Sequence, residues 1–242
     1  MLQTFNTHLV QKKTLAPDIL FLRFELINPT EIEFQAGQYV LVYIPHEDSH
    51  VLRHFSILQA STENSYVDIV AKIIPGGAAS IYFSKIDLHE DVILQGPIGL
   101  FISYESPRDK IFLATGTGIV PILSILESNM EHETCKVTLF WGLKTLNSIY
   151  FLDELKKLEK EIPNFQFQIC LSREQDFSQI PVEDKKYFLS GRVNIGLEKT
   201  FHVSRFTFHD FYICGGRLAV ESIRQYLYEK GAVKQQVYFE KF

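Results

Sequence analysis

Arg53-His54-Phe55-Ser56 sets a guanidinium, an imidazole, an aromatic ring and a hydroxyl on four consecutive residues. A guanidinium fork can hold a pyrophosphate through bidentate, charge-assisted hydrogen bonds. In an extended segment Phe55 leaves the same strand face as Arg53 and can pack flat on a ring system. Ser56 can donate to a ring nitrogen. The plain alternatives are a surface ion pair worth roughly 0–1 kcal/mol for Arg53, a core ring for Phe55 and a backbone-bonded hydroxyl for Ser56. Further on, Ile74-Pro75-Gly76-Gly77-Ala78-Ala79-Ser80 places glycines and small residues before a helix start, where backbone N–H groups and the helix dipole favour an anion. There the simpler reading is a turn with Ser80 as helix cap.

A second constellation follows. Thr115-Gly116-Thr117-Gly118 stands between a short apolar run and a helical pattern, the context a phosphate-binding turn requires, though it is not a full GxGxxG fingerprint. Cys214-Gly215-Gly216 ends a later apolar run. Leu171-Ser172-Arg173-Glu174 ends another, and Ser172 with Arg173 can read a 2′-phosphate where an acidic residue would read ribose hydroxyls.

The elements that must carry these residues change rhythm along the chain. Strands are predicted at 19–26, 39–44 and 66–73, separated by turn signals, with a short helix at 78–84; this pattern suggests an antiparallel barrel. From residue 109 strands alternate with helices: strands at 110–114, 137–141, 165–171, 210–214 and 236–240, helices at 121–130, 148–160 and 218–229. That alternation predicts a doubly wound, mainly parallel sheet. The fold expected is an N-terminal antiparallel β-barrel over 1–104 followed by an α/β doubly wound parallel sheet over 109–242, with Glu105–Asp109 as linker.

Composition narrows the chemistry. The 242 residues include three cysteines, too few for a Cys-ligated iron–sulfur cluster with four thiolates and too dispersed for a zinc or disulfide framework. Any redox centre in this chain is therefore expected to be a bound organic cofactor, with no metal. A net charge of −5 argues against nonspecific nucleic-acid binding. No apolar run approaches the roughly 20 residues of a membrane span, and a cytoplasmic monomer is expected.

The ordered set Gly37-Gln38, Arg53–Ser56, Gly77–Ser80 and Gly96-Pro97-Ile98-Gly99 resembles the ferredoxin–NADP reductase superfamily over essentially the whole chain. The resemblance implies that Arg53, His54, Phe55 and Ser56 bind FAD and that Gly77, Ala78, Ala79 and Ser80 hold its pyrophosphate. It places Thr115, Gly116, Thr117, Gly118, Cys214 and Gly215 at the nicotinamide, with Thr115 close to the reacting ring, and Ser172 and Arg173 at the 2′-phosphate of NADP(H). NAD(H) is the alternative nucleotide. Lys186 and Tyr187 would add a second cation and an adenine-stacking ring; their plain reading is a solvated stretch of mixed charge. Ser56, Cys214 and Glu240 would serve the hydride transfer, and Phe242 would cover the flavin face. The acceptor implied is a separate ferredoxin or flavodoxin. Phe55 stands where many members carry Tyr, as it does in free-flavin reductases, so free flavin as substrate is a second reading. An electron-transfer subunit of a larger complex is a third.

Overall fold

The computed structural model describes residues 2–47, 49–129, 135–201 and 208–242. They form two compact units. One takes in the chain up to Ser103 together with Leu123–Asn129, the other Tyr104–Ile122 and the chain beyond.

The first unit holds β1 (Gln3–Ala16), β2 (Ile19–Asn28), β3 (Tyr39–His46), β4 (Ser49–Ser56), β5 (Tyr66–Lys72), α1 (Ala78–Lys85) and β6 (Asp91–Ile98). Its six strands lie in the order β4-β3-β6-β1-β2-β5, with antiparallel neighbours throughout. Alternation decides which face is buried: Val40, Val42 and Ile44 of β3 point inward with Leu9, Leu22, Phe24, Ile69 and Leu94. Such side chains contribute roughly 1.5–3 kcal/mol each on burial. The two ends of the sheet are drawn together just past β4, where the Leu58 N–H donates to the Asp68 carbonyl at 2.9 Å. Asp68 is buried and gripped by Arg23, whose Nε and Nη2 donate to its two carboxylate oxygens at 2.7 and 2.8 Å. Gln59 completes the seam, accepting the Asp68 N–H and donating to Tyr66 O.

The second unit holds β7 (Asp109–Thr115), α2 (Ile119–Asn129), β8 (Val137–Leu143), α3 (Leu152–Glu161), β9 (Phe165–Leu171), β10 (Phe188–Ser190), α4 (Val193–Thr200), β11 (His209–Gly215), α5 (Arg217–Glu229) and β12 (Val237–Lys241). Helix α2 starts here, and its Leu123–Asn129 half groups with the first unit. There the Ser124 hydroxyl donates to Gln59 O at 2.8 Å. The sheet order is β10-β9-β8-β7-β11-β12, parallel at every step. The chain steps outward from β7 to β10, then crosses to the other side for β11 and β12. Strand order therefore reverses between β7 and β11.

Several elements were not predicted. β1 carries Gln11, Lys12 and Lys13 on its wet stretch and bends at register shifts, so its alternation is blurred. β10 is three residues long, and with α4 it falls within the polar stretch after β9. The helix expected at 121–130 is α2; Met130 lies outside the described residues. α3 begins at Leu152 rather than 148, because Phe151 takes the left-handed conformation (φ 65°) just before it.

Candidate functional site

In the first unit β4 is an edge strand, so the Arg-His-Phe-Ser run has one open flank. Pairing with β3 sets Arg53 opposite Val42 and Phe55 opposite Val40, with Phe55 packed against the core; His54 and Ser56 lie opposite Leu41 and Tyr39. Arg53 is exposed, donates only to the Leu52 carbonyl at 2.9 Å and meets no acid among the described residues. Phe55 is half-buried, its ring 5.3 Å from that of Phe83 on α1. That contact ties the Arg53 strand to the helix that follows the glycines. His54 sits edge-on to Tyr39 at 5.1 Å.

The start of α1 leaves backbone donors open. Gly77 is the N-cap, and no side chain caps the first turn, so the N–H groups of Ala78, Ala79 and Ser80 lack intrahelical acceptors. Gly76 has a left-handed φ of 76°, and no atom lies within 4 Å of where its Cβ would be. The Ser80 hydroxyl is not a helix cap: it is buried at the third helical position and accepts the Ile74 N–H at 2.8 Å, pinning the turn from within. Lys12 closes the other end of α1, with Nζ donating to Ser84 O and Ile86 O. Free donors at a positive helix end, open space at Gly76 and an unpaired Arg53 fit a dianionic pyrophosphate.

In the second unit the turns after β7 and β11 interlock at the switch point. A Cβ on Gly118 would lie 2.1 Å from Cys214 O, and one on Gly215 2.0 Å from Thr115 Oγ1. A Cβ on Gly116 or Gly216 would meet nothing within 4 Å. Two glycines thus let the backbones touch and two leave an open floor above them. Open α/β sheets bind ligands at this position. The Trp141 indole N–H donates to Gly116 O at 2.9 Å from beneath. Phe242 is fastened by its backbone, with its N–H on Gly215 O and its carbonyl on the Arg217 N–H.

Cys214 is fully buried; burial and, after it, the neighbouring Glu240 carboxylate push its thiol well above the usual range. It stands beside Glu240 in the β11–β12 register as a neutral thiol, and not as a nucleophile.

Ser172 and Arg173 follow the carboxyl end of β9. The Ser172 N–H bonds Leu143 O at 3.0 Å and the Arg173 N–H bonds Lys144 O at 2.9 Å, while both residues are exposed. A further arginine arrives from β10, a strand the sequence did not reveal. Ser190 Oγ donates to Glu174 O, the Gly191 N–H donates to Leu171 O, and Arg192 follows as the exposed N-cap of α4. Arg173 and Arg192 therefore leave the same edge of adjacent strands, and neither meets an acid among the described residues. The signal for Arg192 was the short apolar run Tyr187-Phe188-Leu189 before Ser-Gly-Arg.

Two models of protein families cover most of the chain: an oxidoreductase FAD-binding domain at residues 6–103 and an oxidoreductase NAD-binding domain at 112–225. The ferredoxin–NADP reductase B of Sorangium cellulosum is 30% identical over 173 residues, 71% of this chain and 71% of that protein. The chain belongs to the ferredoxin–NADP reductase family. A solved member of this family, from Neisseria gonorrhoeae with bound FAD and NADP, has the same fold, with a TM-score of 0.83 at 22% identity and 98% of each chain covered. The reductase component of the Rhodococcus jostii propane 2-monooxygenase is 27% identical over all of this chain and 64% of its own length. Against that and similar oxygenase reductases the chain spans about two thirds of the relatives' length, 64–68%. The FAD-binding match thus falls on the β-sheet unit and the NAD-binding match mostly on the α/β unit.

One expected pair does not reach the nucleotide edge. β10 joins β9 with Phe188 opposite Ile169, so Lys186 and Tyr187 sit level with the middle of β9. At about 3.3 Å per residue that is on the order of 15 Å short of Ser172 and Arg173. Tyr187 is buried, stacked on Phe167 at 4.5 Å, and donates to Glu159 at 2.7 Å. Lys186 lies over the Tyr187 ring and 3.8 Å from the same Glu159. Both belong to a packed ion-pair cluster with α3, and Tyr187 has no face left for adenine. Among the described residues no helix is long and apolar enough to cross a membrane.

Proposed function

We propose that the chain is an NADP-dependent flavoprotein reductase that draws a hydride from NADPH into FAD and passes electrons to a separate ferredoxin- or flavodoxin-type protein. The observation that carries this reading is the interlocked switch point, with Arg173 and Arg192 at the same carboxyl edge and no acid at the end of β9. FAD, when bound, supplies two-electron hydride acceptance and one-electron release.

The chain's own residues bind and orient. Arg53 and the first turn of α1 hold the pyrophosphate, Phe55 packs beside the ring system and Ser56 offers it a hydrogen bond. On the nucleotide side, the Thr115–Gly118 turn and Gly215 form the floor, and the two arginines with Ser172 take the 2′-phosphate. Phe242 and Glu240 are assigned to the neighbourhood of the reacting rings, and the Cys214 thiol to packing beneath them.

A second reading is the reductase component of an oxygenase system, favoured by relatives such as the propane 2-monooxygenase reductases. A third, free flavin as substrate, draws on Phe55, whose ring lacks the hydroxyl that would add a contact. Gel filtration separates the readings by cofactor: a yellow chain that retains FAD supports a resident flavin, and colourless protein that reduces added flavin supports the third. Reduction of ferredoxin against reduction of an oxygenase partner separates the first two.

A further inference from the structure

We propose that Trp141 is a positioning residue for the dinucleotide: its indole N–H locks the Gly116–Thr117 peptide so that the Thr117 N–H faces the bound nucleotide. The inference rests on the reading that this turn binds NADP(H).

A trans peptide carries its C=O and N–H on opposite sides. The Gly116 carbonyl is turned into the fold, where it accepts both the Trp141 indole at 2.9 Å and the Ile119 N–H. The Thr117 N–H of the same peptide must then point the opposite way, toward the open space above Gly116. The indole is the side-chain donor that holds that orientation. Gly116 sits at φ 56°, and a glycine there leaves the following peptide free to rotate into other turn conformations at little cost. The helical N–H of Ile119 alone is a shared bond, since it also reaches Thr117 O.

Trp141 is itself enclosed by the core. It is the sole tryptophan of the chain, fully buried in β8. Tyr150 braces it edge-on at 4.9 Å and packs in turn on Phe151, the residue in the left-handed conformation that opens α3. The bracket runs from a strained helix start through two rings to one carbonyl. A phenylalanine keeps an aromatic ring against Tyr150 but loses the donor and part of the indole's buried volume.

The test uses the full chain with FAD. NADP⁺ is titrated by calorimetry into wild type, Trp141→Phe and the Arg173→Ala/Arg192→Ala pair, and the single indole N–H resonance of ¹⁵N-labelled wild type is followed in the same titration. Trp141→Phe is expected to raise the Kd for NADP⁺ about fivefold to tenfold, the equivalent of roughly one net hydrogen bond. The KM for NADPH should rise with it while kcat holds. The wild-type indole resonance should move on saturation, a readout that does not depend on the variant folding. An indole signal that stays put while NADP⁺ saturates the protein overturns the proposal, as does an unchanged Kd in a folded Trp141→Phe protein. If the arginine pair weakens binding and Trp141→Phe does not, the nucleotide site stands and the bracket falls. If neither variant alters binding, the site itself is misplaced and the proposal falls with it.

Discussion

The Cβ that Gly215 lacks would lie 2.0 Å from Thr115 Oγ1, so the chain touches itself where the strand order reverses. Gly215→Ala must push the Thr115–Gly118 turn away, and its φ of 151° adds strain. The substitution is expected to raise the Kd for NADP⁺ by about tenfold or more, ~1.4 kcal/mol, with FAD content unchanged. Calorimetry checks this; a wild-type Kd would mean the nucleotide lies elsewhere.

Arg173 and Arg192 stand at one edge without acidic partners among the described residues. Each alanine variant should raise the KM for NADPH about tenfold and leave that for NADH near its original value, as loss of a charge-assisted bond to phosphate implies. The NADPH effect should shrink as salt is added. Parallel losses with both nucleotides would mark the arginines as structural.

Among the described residues Arg53 has only its neighbour's carbonyl as partner. Arg53→Ala is expected to release FAD on gel filtration while the melting temperature of the apo chain stays unchanged. Undiminished FAD retention would remove Arg53 from the pyrophosphate.

The buried thiols set a pH limit. Burial pushes Cys170 up to about 12, and Cys214 is also raised well above its usual value. A thiol whose folded pKa exceeds its unfolded pKa keeps the folded chain more protonated, so stability is full below the unfolded value of about 8.5 and falls as pH rises above it. Urea midpoints should decline between about pH 8.5 and 10.5, and Cys170→Ala with Cys214→Ala should flatten that slope. In native protein neither thiol should react with iodoacetamide at pH 8; rapid labelling of Cys214 would show an accessible thiolate instead.

Much of this arrangement was readable from residues alone. Short runs such as Tyr39–Ile44 ending at turn signals, and the strand–turn–helix around Thr115, separated the two halves, because turn residues and local periodicity are short-range signals. What escaped depended on pairing between distant segments. Gly118 and Gly215 look like ordinary turn glycines until β7 and β11 are set side by side. Arg192 had no edge to belong to while β10 was unseen, whereas Lys186 and Tyr187 stood between a nucleotide role and a solvated run of mixed charge until the β9–β10 register drew them back from that edge. Trp141 was simply the last residue of the strand expected at 137–141, and its indole N–H has meaning only against Gly116 O.

Rapid mixing of the FAD-loaded chain with NADPH or NADH under anaerobic conditions, followed in the flavin's visible band, tests whether one chain joins the two chemistries. Full bleaching is expected with both nucleotides, half-saturating at a lower concentration with NADPH. A chain that holds FAD and bleaches with neither would contradict a reductase reading of these two sites.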